Sequence, residues 1–270
     1  MSDLAAAPHE NRQMAQWFGA DAERYDRARP TYPEALVDRI VSLSPGKNFV
    51  DVGCGTGLSS RPFQAAGRTV LGVEPDARMA EVARRRGLDV EVAKFEDWDP
   101  AGRTFDAVIS GTAWHWVDPF AGAAKVADLL APRGLIALFD NGFELPEAVM
   151  AAQGEAYRHA MPDVKFEPPS KEDEDVEEYV EQIYAKQYVK AAEGILRTGA
   201  FSEPEELRFE WSRVCTRDEW LDQIPTQGGL NHLAEDARAR FLTYLGSAID
   251  EIGGSFTINY ATVGIAAIRR

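Results

Sequence analysis

The residues best suited to chemistry in this 270-residue chain form a glycine-rich segment, Asp51-Val52-Gly53-Cys54-Gly55-Thr56-Gly57. An apolar run from Phe49 to Gly53 leads into it, and a helical pattern that stops at Gly67 follows. A strand that passes through alternating glycines into a helix brings backbone N–H groups and a helix N-terminus against a ligand. That arrangement suits an anionic or carboxylate-bearing cofactor. Because ordinary turns also collect glycine, the segment needs support from its surroundings.

Glu74 supplies that support, because it ends the second predicted strand about 20 residues past the loop. A carboxylate there can accept both ribose hydroxyls of an adenosine, which is a better interpretation than a surface carboxylate at a strand end. The spacing Gly-x-Gly-x-x-Gly seats a pyrophosphate, whereas this loop has Gly-x-Gly-x-Gly. S-adenosylmethionine has no pyrophosphate. The spacing therefore favours this cofactor over a nicotinamide dinucleotide.

Methyl transfer from a sulfonium requires the acceptor, the methyl carbon and the sulfur in line, with water excluded. A base is needed for a hydroxyl or an acidic carbon, but an ionised carboxylate needs none. His115, just after the fourth predicted strand, is the candidate base or acceptor-orienting group, and a packed histidine bonded to backbone is an equally good interpretation. Asp118 is a second candidate, with an N-cap role before Pro119 equally good.

The elements that must position these residues alternate between strand and helix. The five predicted strands of this part are Phe49 to Gly53, Thr69 to Glu74, Asp89 to Ala93, Phe105 to Ser110 and Leu135 to Asp140. Two later runs, Leu207 to Thr216 and Ser255 to Ile268, predict a late strand pair. Such repetition predicts an α/β fold with a parallel sheet covered on both faces and an antiparallel last strand.

A mainly helical region separates the two sets of strands. It carries a long apolar stripe that includes Tyr184 and Tyr188, and we expect it to form a cap insertion. Its aromatic members are candidates to line a substrate pocket, although an aromatic stripe at helical spacing is more often simple packing.

Together these motifs resemble the class I S-adenosylmethionine-dependent methyltransferases, of the small-molecule branch that includes trans-aconitate methyltransferase-like proteins. The resemblance covers nearly the whole chain and implies their Rossmann-like sheet. It rests on Val50 to Gly57, Gly72 to Asp76 with Met79, Phe105 to Val108, Trp114 to Trp116, and Tyr25 to Pro33.

The resemblance implies that Gly53 and Gly55 approach the methionine part, Glu74 holds the ribose and Met79 covers the adenine. The full set of cofactor-binding residues that we predict is Tyr25, Arg29, Asp51, Gly53, Gly55, Glu74, Pro75, Met79, Phe95, Glu96 and Ser110. Arg29 and Tyr25 pair either with the cofactor carboxylate or with a carboxylate acceptor, and the alternative for Arg29 is that it caps a turn. The family usually has an acidic residue where this chain has Lys94, so Phe95 backbone groups or Glu96 take that role.

The predicted substrate residues are Trp114, Tyr32, Tyr184 and Tyr188. The predicted organisation has an N-terminal helical segment over the cofactor site (1–33), a cofactor-binding core (34–141), a helical cap insertion (142–200) and a C-terminal completion of the sheet (201–270). The expected product of the cofactor is S-adenosylhomocysteine, and the expected reaction is O-methylation of a small molecule. The alternative is a protein that binds the cofactor without turnover and acts as a partner, which the departure at Lys94 motivates.

Composition excludes several other classes. A formal net charge of −15 would repel a phosphate backbone, so nucleic acid is not an expected partner. No apolar run approaches the roughly 20 residues that cross a bilayer, and no secretory signal precedes the first helix, so we expect a cytoplasmic protein. Cys54 and Cys215 are expected as reduced thiols. The other histidines, His9, His159 and His232, lack metal-ligand spacing, and no metal is expected.

Overall fold

The computed structural model describes residues 17–161, 188–227, 230 and 233–270. Its seven strands are β1 Asn48–Val52, β2 Thr69–Val73, β3 Asp89–Glu91, β4 Phe105–Gly111, β5 Leu130–Glu144, β6 Glu205–Thr216 and β7 Ser255–Ile268. They form one sheet in the order β3-β2-β1-β4-β5-β7-β6. The pairs from β3 to β5 are parallel, and β7 runs antiparallel to both β5 and β6. This confirms the predicted mostly parallel sheet with an antiparallel last strand.

Helices cover both faces of the sheet. They are α1 Ala22–Ala28, α2 Glu34–Leu43, α3 Ser60–Ala65, α4 Ala77–Arg85, α5 Pro119–Leu129, α6 Glu147–Ala160, α7 at residues 188–197, α8 Arg217–Gln223 and α9 Glu235–Glu251, with short 3-10 turns at Phe18–Asp21, Trp114–Trp116 and Ile224–Gln227. Side-chain caps fix several starts. Asp118 accepts from the backbone N–H groups of Phe120 and Ala121, so the N-cap interpretation of this residue is the one that the structure shows.

The central strands are buried on both faces, as a parallel sheet between two helix layers requires. One apolar cluster packs Val50, Val108 and Ile136 against α5 and α7, and a second packs Phe49, Ile109 and Phe139 against α2 and α3. Because successive strand residues point to opposite faces, β1, β4 and β5 each contribute to both clusters. Both layers therefore hold the carboxyl ends of β1, β2 and β4 in place.

The strand β5 is longer than its sequence pattern predicts. It extends to Glu144, because β7 pairs with it from Leu135 opposite Ile268 to Glu144 opposite Asn259. The extension carries Asn141 and Phe143 past the ends of the parallel strands. Sequence pattern alone predicts only Leu135 to Asp140 of this 15-residue strand, since the outer part is stabilised by pairing and not by its own burial.

The region predicted as a cap is described only in part. Residues 162–187, which include Tyr184, lie outside the described ranges. The helix α6 packs beside α9, in a third apolar cluster with Trp220, Phe241 and Phe256. Among the described residues, no helix is long and apolar enough to span a bilayer, and no group of three or more His, Cys, Asp and Glu side chains is arranged to hold a metal ion.

Candidate functional site

A cavity of about 800 Å³ opens at the carboxyl ends of β1, β2 and β4. Its volume lies within the range of about 300 to 1,000 Å³ that is typical of small-molecule sites. The described lining residues are Phe18, Tyr25, Arg29, Val52, Gly53, Gly55, Val73, Glu74, Pro75, Asp76, Ala77, Arg78, Met79, Val92, Ala93, Lys94, Phe95, Glu96, Thr112, Ala113, His115, Trp116 and Val117. We call it the large cavity.

The glycine loop forms the floor of this cavity. Gly53 has φ of 68° and Gly55 has φ of 55°, a left-handed conformation that L side chains rarely adopt. A Cβ atom on Gly53 would lie 2.5 Å from the Cβ of Ala113, and one on Gly55 would face the Cε of Met79 at 3.4 Å. Both glycines are therefore required by backbone conformation, and Gly53 also by a close approach.

Glu74 connects the loop with the second strand. Its Oε2 accepts a hydrogen bond from Gly55 N at 2.9 Å, and its Oε1 accepts one from Asp76 N at 2.8 Å. Each carboxylate oxygen keeps a lone pair that can accept a further donor from the cavity. Burial raises the pKa of Glu74 to about 7, although the two backbone hydrogen bonds act in the opposite direction.

Two of the predicted cofactor residues lie beneath the loop and not in the described lining of the cavity. Asp51 Oδ2 accepts hydrogen bonds from the hydroxyls of Ser59 at 2.5 Å and Ser60 at 2.6 Å. Burial raises the pKa of Asp51 to about 6. Ser110 donates its hydroxyl to Val52 O at 2.8 Å. These hydrogen bonds fix the loop and its strand, while Oδ1 of Asp51 is buried without a hydrogen-bond partner.

The far end of the large cavity is shaped by Pro75, Met79, Lys94, Phe95 and Glu96. Trp114, which the sequence suggests as a substrate residue, lies behind this wall. Its ring is buried and packs against the Phe95 ring at a centroid distance of 6.1 Å. It is not among the described lining residues of either cavity, so its position is that of a core residue.

The N-terminal segment closes the cavity from above, since Phe18, Tyr25 and Arg29 all line it. Charged contacts hold α1 in place. The Asp26 carboxylate is buried and accepts from Arg61 Nη1 at 2.8 Å and from Arg86 Nε at 2.9 Å. On the other side of α1, Asp222 pairs with Arg24 and Arg27. The segment is thus tied to the core by ion pairs more than by a large apolar face.

A second cavity, of about 70 Å³, meets the large one at the loop. We call it the small cavity. Its described lining residues are Tyr25, Arg29, Pro30, Tyr32, Gly53, Cys54, Gly55, Thr56, Leu58, Ser59, Gly111, Thr112, Asn141, Phe143, Gln223 and Tyr260. Two of them carry buried polar atoms that have no hydrogen-bond partner in the structure, Nε of Arg29 and Oγ1 of Thr56. Such atoms are rare in proteins and are consistent with a polar ligand in this space.

Sequence analysis did not predict four of the residues that line the small cavity, which are Asn141, Phe143, Gln223 and Tyr260. They come from the outer part of β5, from α8 and from β7. Phe143 and Tyr260 are partners in the antiparallel register, and their rings lie 6.0 Å apart. The only sequence signal was the late strand pair, which does not specify a register.

The three tyrosines that were predicted as substrate residues have different positions. Tyr32 lines the small cavity, and its hydroxyl lies 2.8 Å from Oγ1 of Thr112. Burial raises its pKa well above the ordinary value. Tyr188 lies among core residues, where its hydroxyl donates to Oδ2 of Asp140 at 2.6 Å, and it lines neither cavity. Tyr184 lies outside the described residues.

His115 lines the large cavity and is not among the described lining residues of the small one. Its ring lies 4.8 Å from that of Trp116. Burial lowers the pKa of His115 to about 4. The imidazole is therefore neutral near pH 7 and a weak base, since a general base works best with a pKa near the working pH.

Part of the chain matches a known protein family. Residues 49–134 match the family model described as a methyltransferase domain, and the strand order and the antiparallel β7 are those of the Rossmann-like class I methyltransferase fold. A solved structure of a candidate type II methyltransferase from Anaeromyxobacter dehalogenans has a TM-score of 0.59 and 21% identity, and the match covers 88% of this chain and 97% of that one. This likeness supports the fold.

Two curated relatives illustrate the sequence similarity. An uncharacterised methyltransferase from Mycobacterium tuberculosis is 33% identical over 133 residues, which cover 48% of this chain and 54% of the relative. The trans-aconitate 2-methyltransferase of Rhodococcus jostii is 31% identical over 147 residues, which cover 52% of this chain and 56% of the relative. The chain thus spans about half the length of the curated relatives it matches.

Proposed function

We propose that this protein transfers a methyl group from S-adenosylmethionine to a small-molecule acceptor. One observation carries the proposal: two cavities of unequal size meet at Gly53 and Gly55, and the larger is bordered by the loop and by Glu74. A volume of about 800 Å³ admits an adenosine with an amino-acid tail, and the orphaned Nε of Arg29 stands where the cavities join. The residues present therefore fit this cofactor.

Each residue has a role within the proposal. Glu74 accepts the ribose hydroxyls with the lone pairs that Gly55 and Asp76 leave available. Met79, Pro75, Phe95 and Glu96 enclose the adenine. Tyr25 and Arg29, together with the backbone of Gly53 and Gly55, hold the amino-acid end. Asp51 and Ser110 keep the loop and its strand in position.

The cofactor supplies an activated methyl group, so the chain has to align the acceptor and exclude water. The pKa of His115, lowered to about 4, disfavours the role of general base, and the raised pKa of Tyr32 keeps its buried hydroxyl protonated near pH 7. An acceptor that is already ionised needs no base. We therefore favour O-methylation of a carboxylate, and the relative named for trans-aconitate, an acid, supports this choice.

The compartment and the partners follow from the same proposal. We propose a cytoplasmic enzyme, since Cys54 and Cys215 are both free and buried, as expected under reducing conditions. A net charge of −15 supports a small molecule over nucleic acid as the acceptor.

Isothermal titration of the full chain with S-adenosylhomocysteine tests the cofactor. We expect saturable binding of one equivalent. Absence of binding at millimolar concentration would contradict the proposal.

The second candidate is a protein that binds the cofactor without turnover and serves as a partner protein. It is favoured by Lys94, which lines the large cavity and stands where the family that the sequence resembles usually has an acid. A radiolabelled methyl assay over a panel of carboxylic acids, trans-aconitate among them, separates the two candidates. Binding of S-adenosylhomocysteine with no methyl ester formed would favour the partner protein.

A further inference from the structure

Gln223 and Tyr260 form what we call the outer wall of the small cavity, and both contact Arg213. Arg213 of β6 donates from Nη2 to Oε1 of Gln223 at 2.5 Å, and its Nε lies 3.4 Å from the hydroxyl oxygen of Tyr260, near the upper limit for a hydrogen bond. Gln223 and Tyr260 both line the small cavity, whereas Arg213 is not among its described lining residues. The guanidinium thus contacts the accepting atom of both side chains.

This contact sets the polarity of the wall. Arginine has only donors, so the oxygen atoms of Gln223 and Tyr260 must accept from it. The amide NH₂ of Gln223 and the hydroxyl proton of Tyr260 are then the groups left for the cavity. Gln223 is 1% exposed and Tyr260 is 2% exposed, so bulk water is a poor partner for either group.

The inner wall can supply donors as well, since Nε of Arg29 is a donor and the Thr56 hydroxyl can donate or accept. Nε of Arg29 and Oγ1 of Thr56 are buried without a partner, and both residues line the small cavity. Thr56 is 1% exposed. Among the described lining residues, Arg29 is charged and there is no Asp, Glu, Lys or His. Groups that can donate therefore face this space from two sides, and the charge of Arg29 lies where the two cavities join and serves the cofactor in the proposed function.

We propose that Gln223, oriented by Arg213, is a specificity-determining residue that selects acceptors whose bound group carries only hydrogen-bond acceptors, with a carboxylate as the chemical class. This rests on the proposed function, because it assigns the small cavity to the acceptor. A volume of about 70 Å³ admits an end group of that size, given that one water occupies about 30 Å³ in the liquid. Gln223 recognises the acceptor, and Arg213 is a positioning residue.

The substitution Gln223→Glu tests recognition directly. The new carboxylate keeps an oxygen for Arg213 but places a second oxygen where the NH₂ donor was, at nearly unchanged volume. The protein is saturated with S-adenosylhomocysteine, and binding of acetate, succinate and benzoate is followed by ligand-observed NMR. We expect the wild-type protein to bind at least one of these acids. The variant should bind the same acid at least about tenfold more weakly.

A matched control is available in Gln64→Glu. Gln64 donates to Gly87 O on the surface and lines neither cavity, so this variant adds the same charge elsewhere. Binding of the acids should stay within about twofold of wild type. The affinity for S-adenosylhomocysteine should stay within about twofold in both variants.

The positioning role of Arg213 is tested by the selectivity of the site for a carboxylate over an amide. A residue that only stabilised the fold would not change this selectivity. In Arg213→Met the amide of Gln223 is free to turn, so the preference for benzoate over benzamide should fall about tenfold. Arg213→Lys retains a donor and should keep most of the preference. Thermal melting of both variants monitors folding.

Three results would overturn the inference. Gln223→Glu could bind the acids as tightly as wild type, or the saturated wild-type protein could bind none of them. The variant could also lose affinity for S-adenosylhomocysteine about tenfold, which would place the carboxylate of the cofactor in the small cavity. Failure of the wild-type protein to bind S-adenosylhomocysteine at all is a different result, because it overturns the proposed function as well.

Discussion

Apart from Phe18, Tyr25 and Arg29, the large cavity takes its described lining from the sequence between Val52 and Val117. The small cavity instead joins residues as distant as Tyr25 and Tyr260. The first is built by consecutive strand and loop units of a parallel sheet, and the second by the antiparallel insertion of β7 between β5 and β6. Local sequence therefore encodes the proposed cofactor site, whereas the proposed acceptor site depends on how the ends of the chain meet.

This division predicts that changes around the large cavity alter affinity for S-adenosylhomocysteine and changes around the small cavity do not. The largest expected effect is at the loop. Gly53→Ala places a Cβ atom 2.5 Å from that of Ala113, at a φ of 68°. We expect S-adenosylhomocysteine to bind about 100-fold more weakly in isothermal titration, as for an overpacked site.

Gly67→Ala is the matched control for Gly53→Ala. Gly67 has φ of 78°, but nothing lies within 4 Å of a Cβ atom there. Because of the left-handed conformation, Gly67→Ala should lower the free energy of unfolding by about 1 kcal/mol. It should leave the affinity for S-adenosylhomocysteine unchanged. Equal loss of affinity in both variants would show that backbone strain and not the close approach matters.

A smaller effect is expected at the second strand. In Glu74→Gln an NH₂ group replaces one accepting oxygen, so one of the bonds from Gly55 and Asp76 is lost together with the charge. Affinity for S-adenosylhomocysteine should fall about 30-fold. An affinity within twofold of wild type would remove Glu74 from the proposed site.

Glu74 also predicts a pH dependence. Burial raises its pKa from 4.5 to about 7, so the free protein loses stability from this residue as the pH rises through that window. The ionised form is the better acceptor for ribose hydroxyls. Affinity should therefore increase between pH 6 and pH 8, by up to about tenfold, and Glu74→Gln should abolish the increase.

The ion pairs above the large cavity predict a kinetic effect of intermediate size. Asp26→Asn leaves Arg61 and Arg86 without a charged partner, and breaking a buried pair favours opening of α1. Dissociation of S-adenosylhomocysteine, measured by stopped flow, should accelerate about tenfold. Glu23→Gln, which removes the exposed pair with Arg85, should change the rate less than twofold. Equal rates in all three proteins would mean that α1 does not control release.

The smallest effect is expected at His115. Its pKa of about 4 keeps the imidazole neutral at pH 7, and it lies away from the small cavity. His115→Gln should change the affinity for S-adenosylhomocysteine less than about threefold. If the pH profile of kcat/KM showed an ionisation near pH 6.5 that this variant abolished, His115 would act as a base after all.

The sequence was informative where neighbours in the chain are neighbours in space. The loop, Glu74 and Met79 belong to consecutive βα units, and all of them border one cavity. Glycine spacing and strand ends predicted the loop and Glu74, and the resemblance to the family predicted Met79. Asp51 and Ser110 share those strands, but the alternation of side chains turns them toward buried hydrogen bonds to Ser59, Ser60 and Val52.

Sequence pattern did not predict the residues of the proposed acceptor site, for a physical reason. Tyr260 reaches the small cavity because β7 pairs with β5 in one particular register, which places Phe143 opposite Tyr260, whereas Gln223 reaches it from α8. A one-residue slip would turn every side chain of β7 to the other face. Periodicity predicts that a strand exists, but its register depends on packing between distant segments.

A crystal structure of the wild-type protein with S-adenosylhomocysteine tests the division between the two cavities most directly. We predict the ribose hydroxyls against Glu74, the adenine beside Met79 and Phe95, and the sulfur at Gly53 facing a small cavity that remains accessible to an acceptor. A ligand whose amino-acid end fills the space between Gln223 and Tyr260, or whose sulfur faces away from that space, would contradict the account.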